Sequence, residues 1–165
     1  MLKPAKLYED ELQKLYCEKW HDYNLQFYTG WRSGGEFNIS EDAYNRNEFV
    51  SVDAEGNIYG YIGYAFDFYT GVADNFGILS FKKSNALFAK DLLQVVDDIF
   101  IKYKFRLMSW RMVGDNPVEK HYQKFCKKYG GQEVARLKDY CRFNDGSYHD
   151  DVIFLLTREN YLKNR

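Results

Sequence analysis

The sequence predicts an α/β (α+β) chain: a mixed, twisted sheet of about six to seven strands with helices on both faces. Three observations carry that expectation. A strand, a long amphipathic helix and a second strand follow one another from Phe76 to Val113, which implies a parallel crossover. Hairpins flank that unit on both sides, and 45% of the 165 residues are hydrophobic, enough for one substantial core.

The elements follow in order. Tyr8, Leu12, Leu15 and Tyr16 keep helical spacing and predict a helix from about Tyr8 to Trp20. Glycines make Thr29 to Gly35 a loop, and Ile39 to Asn47 is read as a short helix capped by Ser40. Phe49 to Asp53 and Ile58 to Phe68 are strands joined by the turn Ala54-Glu55-Gly56-Asn57, and Phe76 to Phe81 is a third strand. Ser84 or Asn85 can cap a helix running to about Tyr103, with Phe88, Leu92, Val96, Ile99 and Tyr103 on one stripe.

Phe105 to Val113 reads as a buried strand. Gly114-Asp115-Asn116-Pro117 starts the next helix, with Asn116 as cap and Pro117 in the first turn. Val118, Tyr122, Phe125, Cys126 and Tyr129 form its apolar stripe, and Gly130-Gly131 ends it. Glu133 to Phe143 and Tyr148 to Thr157 close the chain as a hairpin around Asn144-Asp145-Gly146-Ser147, where the Asp-Gly pair is a strong turn signal.

Bulk properties narrow the function classes. A net charge of -1 gives no general attraction to nucleic acid or to an anionic membrane. No apolar run reaches the ~20 residues of a membrane-spanning helix. Met1-Leu2-Lys3-Pro4 lacks the apolar stretch of a secretory signal, so the default expectation is a cytoplasmic protein. Cys17, Cys126 and Cys141 are read as buried free thiols rather than a disulfide scaffold. No metal site is expected: Cys17 and His21 are one turn apart, but no second pair completes a ligand set. No serine or cysteine nucleophile pattern accompanies the histidines, against a hydrolase triad.

The element order resembles the GCN5-related N-acetyltransferase superfamily. The likeness spans roughly Phe49 to Thr157 and rests on three features: a hairpin and third strand leading into a helix at Ser84; Gly114-Asp115-Asn116 before a helix carrying Tyr122; and Gly130-Gly131 before a terminal hairpin with Asp145-Gly146 and Asp150. The resemblance implies an acyl-CoA N-acyltransferase-like fold in a single domain over 1–165. Residues 1–48 would form a helical, substrate-side region and 49–158 the acyl-CoA-binding core.

It further implies acetyl-CoA as co-substrate, paired to the backbone of Ile78, Leu79, Ser80 and Phe81. The phosphates would lie over the turn Lys82, Lys83, Ser84, Asn85, Ala86, Leu87, Phe88 and Ala89, with Asn116 nearby. Unpaired amides and the dipole at a helix N-terminus suit a pyrophosphate. Tyr122 resembles the family's thiolate-protonating tyrosine, although it falls six residues after Asn116 where the family more often has seven. Phe27, Tyr28 and Trp31 would border the acceptor, where an aromatic ring can hold a cationic amine. No general base stands out, although Asp67 and Glu48 are candidates.

One motif departs from the family. Its loop reads Arg or Gln, two residues, Gly, one residue, then Gly or Ala. Ser84-Asn85-Ala86-Leu87-Phe88-Ala89 lies over it, and only Ala89 agrees. Leu87 stands where a missing side chain lets backbone approach phosphate. Each residue also has a bland role: Tyr122 in the apolar stripe, Asn116 and Ser84 as caps, Lys82 and Lys83 in a solvated turn, the aromatics in a core.

The functional expectation is an N-acetyltransferase. It would move an acetyl group from acetyl-CoA to a small-molecule or peptide amine by direct attack in a ternary complex. The alternative is a non-catalytic domain of the same fold that binds a ligand or protein. No nucleic-acid or membrane partner is expected, and a homodimer is left open.

Overall fold

Seven strands form one mixed sheet: β1 (Leu2–Pro4), β2 (Arg46–Val52), β3 (Ile58–Asp67), β4 (Val72–Ser80), β5 (Leu107–Val113), β6 (Gln132–Arg142) and β7 (Tyr148–Thr157). Their order is β1-β2-β3-β4-β5-β7-β6. Every neighbouring pair is antiparallel except β4 and β5, the expected parallel crossover. The computed structural model describes residues 1–29, 36–42, 44–82 and 86–165. Helices α1 (Glu9–Lys19), α2 (Gln26–Thr29), α3 (Ala86–Asp97), α4 (Glu119–Tyr129) and α5 (Arg158–Asn164) cover the two faces.

Strand alternation divides the core in two. Ile62, Tyr64 and Phe66 of β3, with Met108, Trp110 and Met112 of β5, face the helices α3, α4 and α5. On the other side Val50 and Val52 of β2, Tyr61 of β3 and Leu79 of β4 pack against Leu12 and Tyr16 of α1. The helix stripes read from the sequence supply both layers. Gly60 of β3 seats α3: a Cβ there would stand 2.6 Å from Cζ of Phe88 and 2.8 Å from the Leu79 carbonyl. Gly130 takes a left-handed φ of 77° after α4 and donates to the Cys126 carbonyl at 2.8 Å, ending the helix as its sequence predicts.

Several boundaries differ from expectation. The helix read over Ile39 to Asn47 does not form among the described residues. Oδ1 of Asp42 accepts from the amides of Tyr44 and Asn45, and Ser40 Oγ accepts from the Asp42 amide. Those bonds make a turn, and β2 begins at Arg46 instead of Phe49. β4 begins at Val72, ahead of the expected Phe76, and α4 at Glu119, after a turn in which Oδ1 of Asn116 accepts from the Val118 amide at 3.0 Å. The helix from α3 finishes in a π-turn, Asp98–Lys102, which leaves Tyr103 exposed. β1 and α5 were not anticipated. Cys126 and Cys141 are buried free thiols, but Cys17 is exposed.

Candidate active site

The sheet opens in its middle. β4 pairs with β5 only through Val72↔Leu107 and Ala73↔Met108, yet β4 runs on to Ser80 and β5 to Val113. The cause is local. The β3–β4 register slips between Gly63 and Ala65, and Asn75 opposite that slip holds a left-handed φ of 49°. Such a bulge bends its strand and ends pairing. Past Ala73, the edge of β4 that faces β5 therefore carries backbone donors and acceptors with no strand partner among the described residues. An extended, amide-bearing chain complements such an edge.

Tyr122 of α4 packs over β5 and β7, on the sheet face that carries α3 and α4. Its ring is partly buried, edge-on to Trp110 of β5 with centroids 6.1 Å apart, and edge-on to Phe154 of β7 at 5.9 Å. Burial pushes its phenol up to about 12, so it stays protonated through the neutral range. Among the described residues its hydroxyl has no hydrogen-bond partner. Tyr122 therefore packs through its ring, with its hydroxyl left unpaired among the described residues.

The cofactor-side residues spread around the end of β4. Ile78 and Phe81 are partly buried, Leu79 is buried and Ser80 exposed. Ser80 Oγ donates to the Lys82 carbonyl at 2.7 Å. Lys82 holds its ammonium 4.1 Å over the Tyr59 ring. Lys83, Ser84 and Asn85 lie outside the described residues. In the first turns of α3, Ala86 and Ala89 are exposed and Leu87 is half-buried, while Phe88 is committed to the core.

On the opposite face, Tyr28 of α2 reaches β4. Its Oη is 3.0 Å from where a Cβ of Gly77 would stand, and Cε1 of Tyr61 is 3.5 Å from that point. Phe27 instead joins an aromatic cluster, with Phe143 at 5.1 Å and Tyr23 and His149 each at 6.1 Å. Trp31 lies outside the described residues. Neither acid named as a base is free for that work. Asp67 caps the β3–β4 turn by accepting from the amides of Tyr69 and Thr70 and from Thr70 Oγ1. Glu48 is enclosed: Oε1 accepts from Tyr61 Oη at 2.5 Å and Arg46 Nε at 3.4 Å, and Oε2 from the Ser40 amide at 2.8 Å.

Asp74, which the sequence reading passed over, is placed better. Ala73 beside it points into the core under α3 and α4, so Asp74 turns to the opposite face, one residue past the last β4–β5 pair. Partial burial and the negative charge of Asp67 raise its carboxyl above the ordinary value, with Arg46 opposing that rise. Asp74 thus stands on the sheet face opposite the one on which Tyr122 packs. The signal that could have flagged the region was Gly63 and Gly77, since glycine inside a strand often marks close approach.

One serine does lie beside a histidine in the structure, at the β6–β7 turn. Ser147 Oγ lies 2.9 Å from His149 Nε2, and His149 Nδ1 lies 3.1 Å from Asp115 Oδ2. Ser147 Oγ, however, donates to Asp145 Oδ1 at 2.6 Å. The array is a staple of the β6–β7 turn, beyond the last residue of β5.

A search of solved structures returns a consistent group. The spermidine N-acetyltransferase from Vibrio cholerae in complex with CoA and spermine matches over 98% of this chain and 97% of its own, at 18% identity and a TM-score of 0.75. The fold is that of the GCN5-related N-acetyltransferases. The spermidine/spermine N-acetyltransferase SpeG from Vibrio cholerae, in complex with manganese ions, aligns over 93% of this chain and 77% of that one, at 20% identity and a TM-score of 0.62. A chimera of that enzyme with the human spermidine/spermine acetyltransferase aligns at 22% identity and 0.61. No protein-family model matches the sequence, and no curated protein sequence matches it. The likeness is one of fold, as the element order in the sequence led us to expect.

Proposed function

We propose that the chain is an acetyl-CoA-dependent N-acetyltransferase acting on a small, cationic amine. The observation that carries this reading is the parting of β4 from β5 at Asn75 in a chain with this fold. The free edge of β4 offers hydrogen bonds to the amides of the pantetheine arm, and the exposed first turn of α3 offers helix N-terminal amides to the phosphates. The bound thioester supplies the activated acetyl group. A polyamine is the acceptor class that the similarity to a structure holding spermine suggests.

The chain's own groups then divide the proton work. A protonated amine cannot attack, and an alkyl ammonium of ordinary pKa ~10.4 is almost wholly protonated at neutral pH. Asp74, ionised and on the acceptor face, attracts that cation and accepts its proton. Tyr28, lying over the bare Gly77, limits the space beside the attacking nitrogen. As the carbon–nitrogen bond forms and the carbon–sulfur bond breaks, Tyr122 donates its phenolic proton to the departing sulfur, the second proton lost by the acylated nitrogen restores the Tyr122 phenol, and the proton on Asp74 returns to solvent. Asn116 holds the turn before α4 through its bond to the Val118 amide.

Thiol release from acetyl-CoA in the presence of spermidine tests this reading. Turnover that saturates in both substrates supports it. Binding of acetyl-CoA without transfer to any amine would favour the non-catalytic alternative, which the altered loop around Leu87 recommends.

A further inference from the structure

A guanidinium reaches the sheet's bulge from a strand that does not touch β4. Arg46 belongs to β2, and β3 lies between. Its Nη1 nevertheless donates to the Asn75 carbonyl at 2.8 Å. The crossing is allowed by Gly63 of β3, where a Cβ would stand 2.7 Å from Arg46 Nη2. Arg46 is itself held from behind, because its Nε donates to Glu48 Oε1 and that carboxylate is fixed by Tyr61 and the Ser40 amide.

Asn75 is the residue whose φ of 49° turns β4 out of register with β3, just after the last pair with β5. A left-handed conformation in a non-glycine residue inside a strand costs energy and persists only where its surroundings impose it. A charge-assisted bond to its carbonyl is such an imposition, about twice as strong as a neutral one.

We infer that Arg46 is a positioning residue which, by gripping the Asn75 carbonyl across β3, holds the bulge that keeps β4 parted from β5 and so sets the width of the acyl-donor slot. The inference rests on the acetyltransferase reading and adds to it a residue that touches neither substrate. It acts through the peptide between Asn75 and Phe76, at the level of Trp110 and Tyr122. Lysine cannot replace it, since a single ammonium on a shorter stem cannot bond Glu48 and Asn75 together in the arginine's fork geometry.

Steady-state kinetics of Arg46→Lys and Arg46→Ala, with acetyl-CoA and spermidine varied separately, test it. In both variants KM for acetyl-CoA rises at least about tenfold and kcat falls by up to about 100-fold, the cost of a small misplacement of reacting atoms. KM for spermidine changes little in Arg46→Lys, which keeps the positive charge beside Asp74. Added methylguanidine restores part of the Arg46→Ala loss. An unchanged KM for acetyl-CoA in a variant that melts normally overturns the inference while leaving the acetyltransferase reading intact. If Arg46→Ala does not fold, Arg46→Lys alone decides, because it keeps the charge and an aliphatic stem but not the fork. Absence of turnover and of acetyl-CoA binding in the unaltered chain removes both claims together.

Discussion

Tyr122 stands edge-on to Trp110, the ring planes at 73° and the centroids 6.1 Å apart, on the stretch of β5 that has already left β4. The contact fixes the phenol against β5 by packing alone. Tyr122→Phe keeps every ring contact, so the melting temperature should stay within about 1 kcal/mol of stability, while kcat drops by roughly 10²-fold with loss of the acid. Since the phenol is raised to about 12, the unaltered enzyme should show no alkaline loss of activity from this group below pH 10. Equal kcat in the two forms would leave Tyr122 as packing only.

Asp74→Asn separates a chemical from a structural role by its two signs. The folded-state pKa of Asp74 lies above its ordinary value, so the stability it contributes is full below the unfolded value and is lost as pH rises through the folded one. At neutral pH the substitution should therefore leave the melting temperature unchanged or higher. Acetyl transfer should fall about 10²-fold, with the deficit narrowing toward the amine's own pKa of ~10, where free amine is abundant. A lower melting temperature with a pH-independent loss would contradict this.

Gly60→Ala probes how α3 is seated. The added methyl meets the Phe88 ring and, at 2.8 Å, the Leu79 carbonyl, and a backbone oxygen has little freedom to yield. Overpacking of this kind costs ~1–3 kcal/mol. Urea denaturation reads it directly, and a loss too small to measure would mean that Phe88 is held less tightly than the geometry states.

Leu87→Gly tests the loop's departure from the family pattern. The side chain is half-buried at the first turn of α3 and would crowd a phosphate approaching the backbone. Removing it should tighten acetyl-CoA binding several-fold despite ~1 kcal/mol lost in helix propensity. Weaker binding in the variant would show that Leu87 does not obstruct the site.

Much of the architecture was legible because it is locally encoded. Asp145-Gly146 closes the β6–β7 hairpin with Gly146 at a φ of 86°, and the two strands run as read to within a residue of each end. The start of β4 was hidden because Asp74 and Asn75 interrupt its alternation, and that interruption is the bulge. Arg46 and Glu48 read as polar approach to a strand, and only tertiary contact across Gly63 joins them to Asn75. The helix expected over Ile39 to Asn47 failed because the Asp42 side chain captures amides that a helix would have used. Tyr122 was found through family likeness, Asp74 only through the sheet.

The central claim is that acetyl-CoA lies in the opening between β4 and β5. Titrating the isotopically labelled chain with acetyl-CoA while following backbone amide resonances tests it most directly. Saturable shifts should concentrate at residues 74–80, at 109–113 and in the first turns of α3 and α4. Shifts confined elsewhere, or none at millimolar acetyl-CoA, would contradict it.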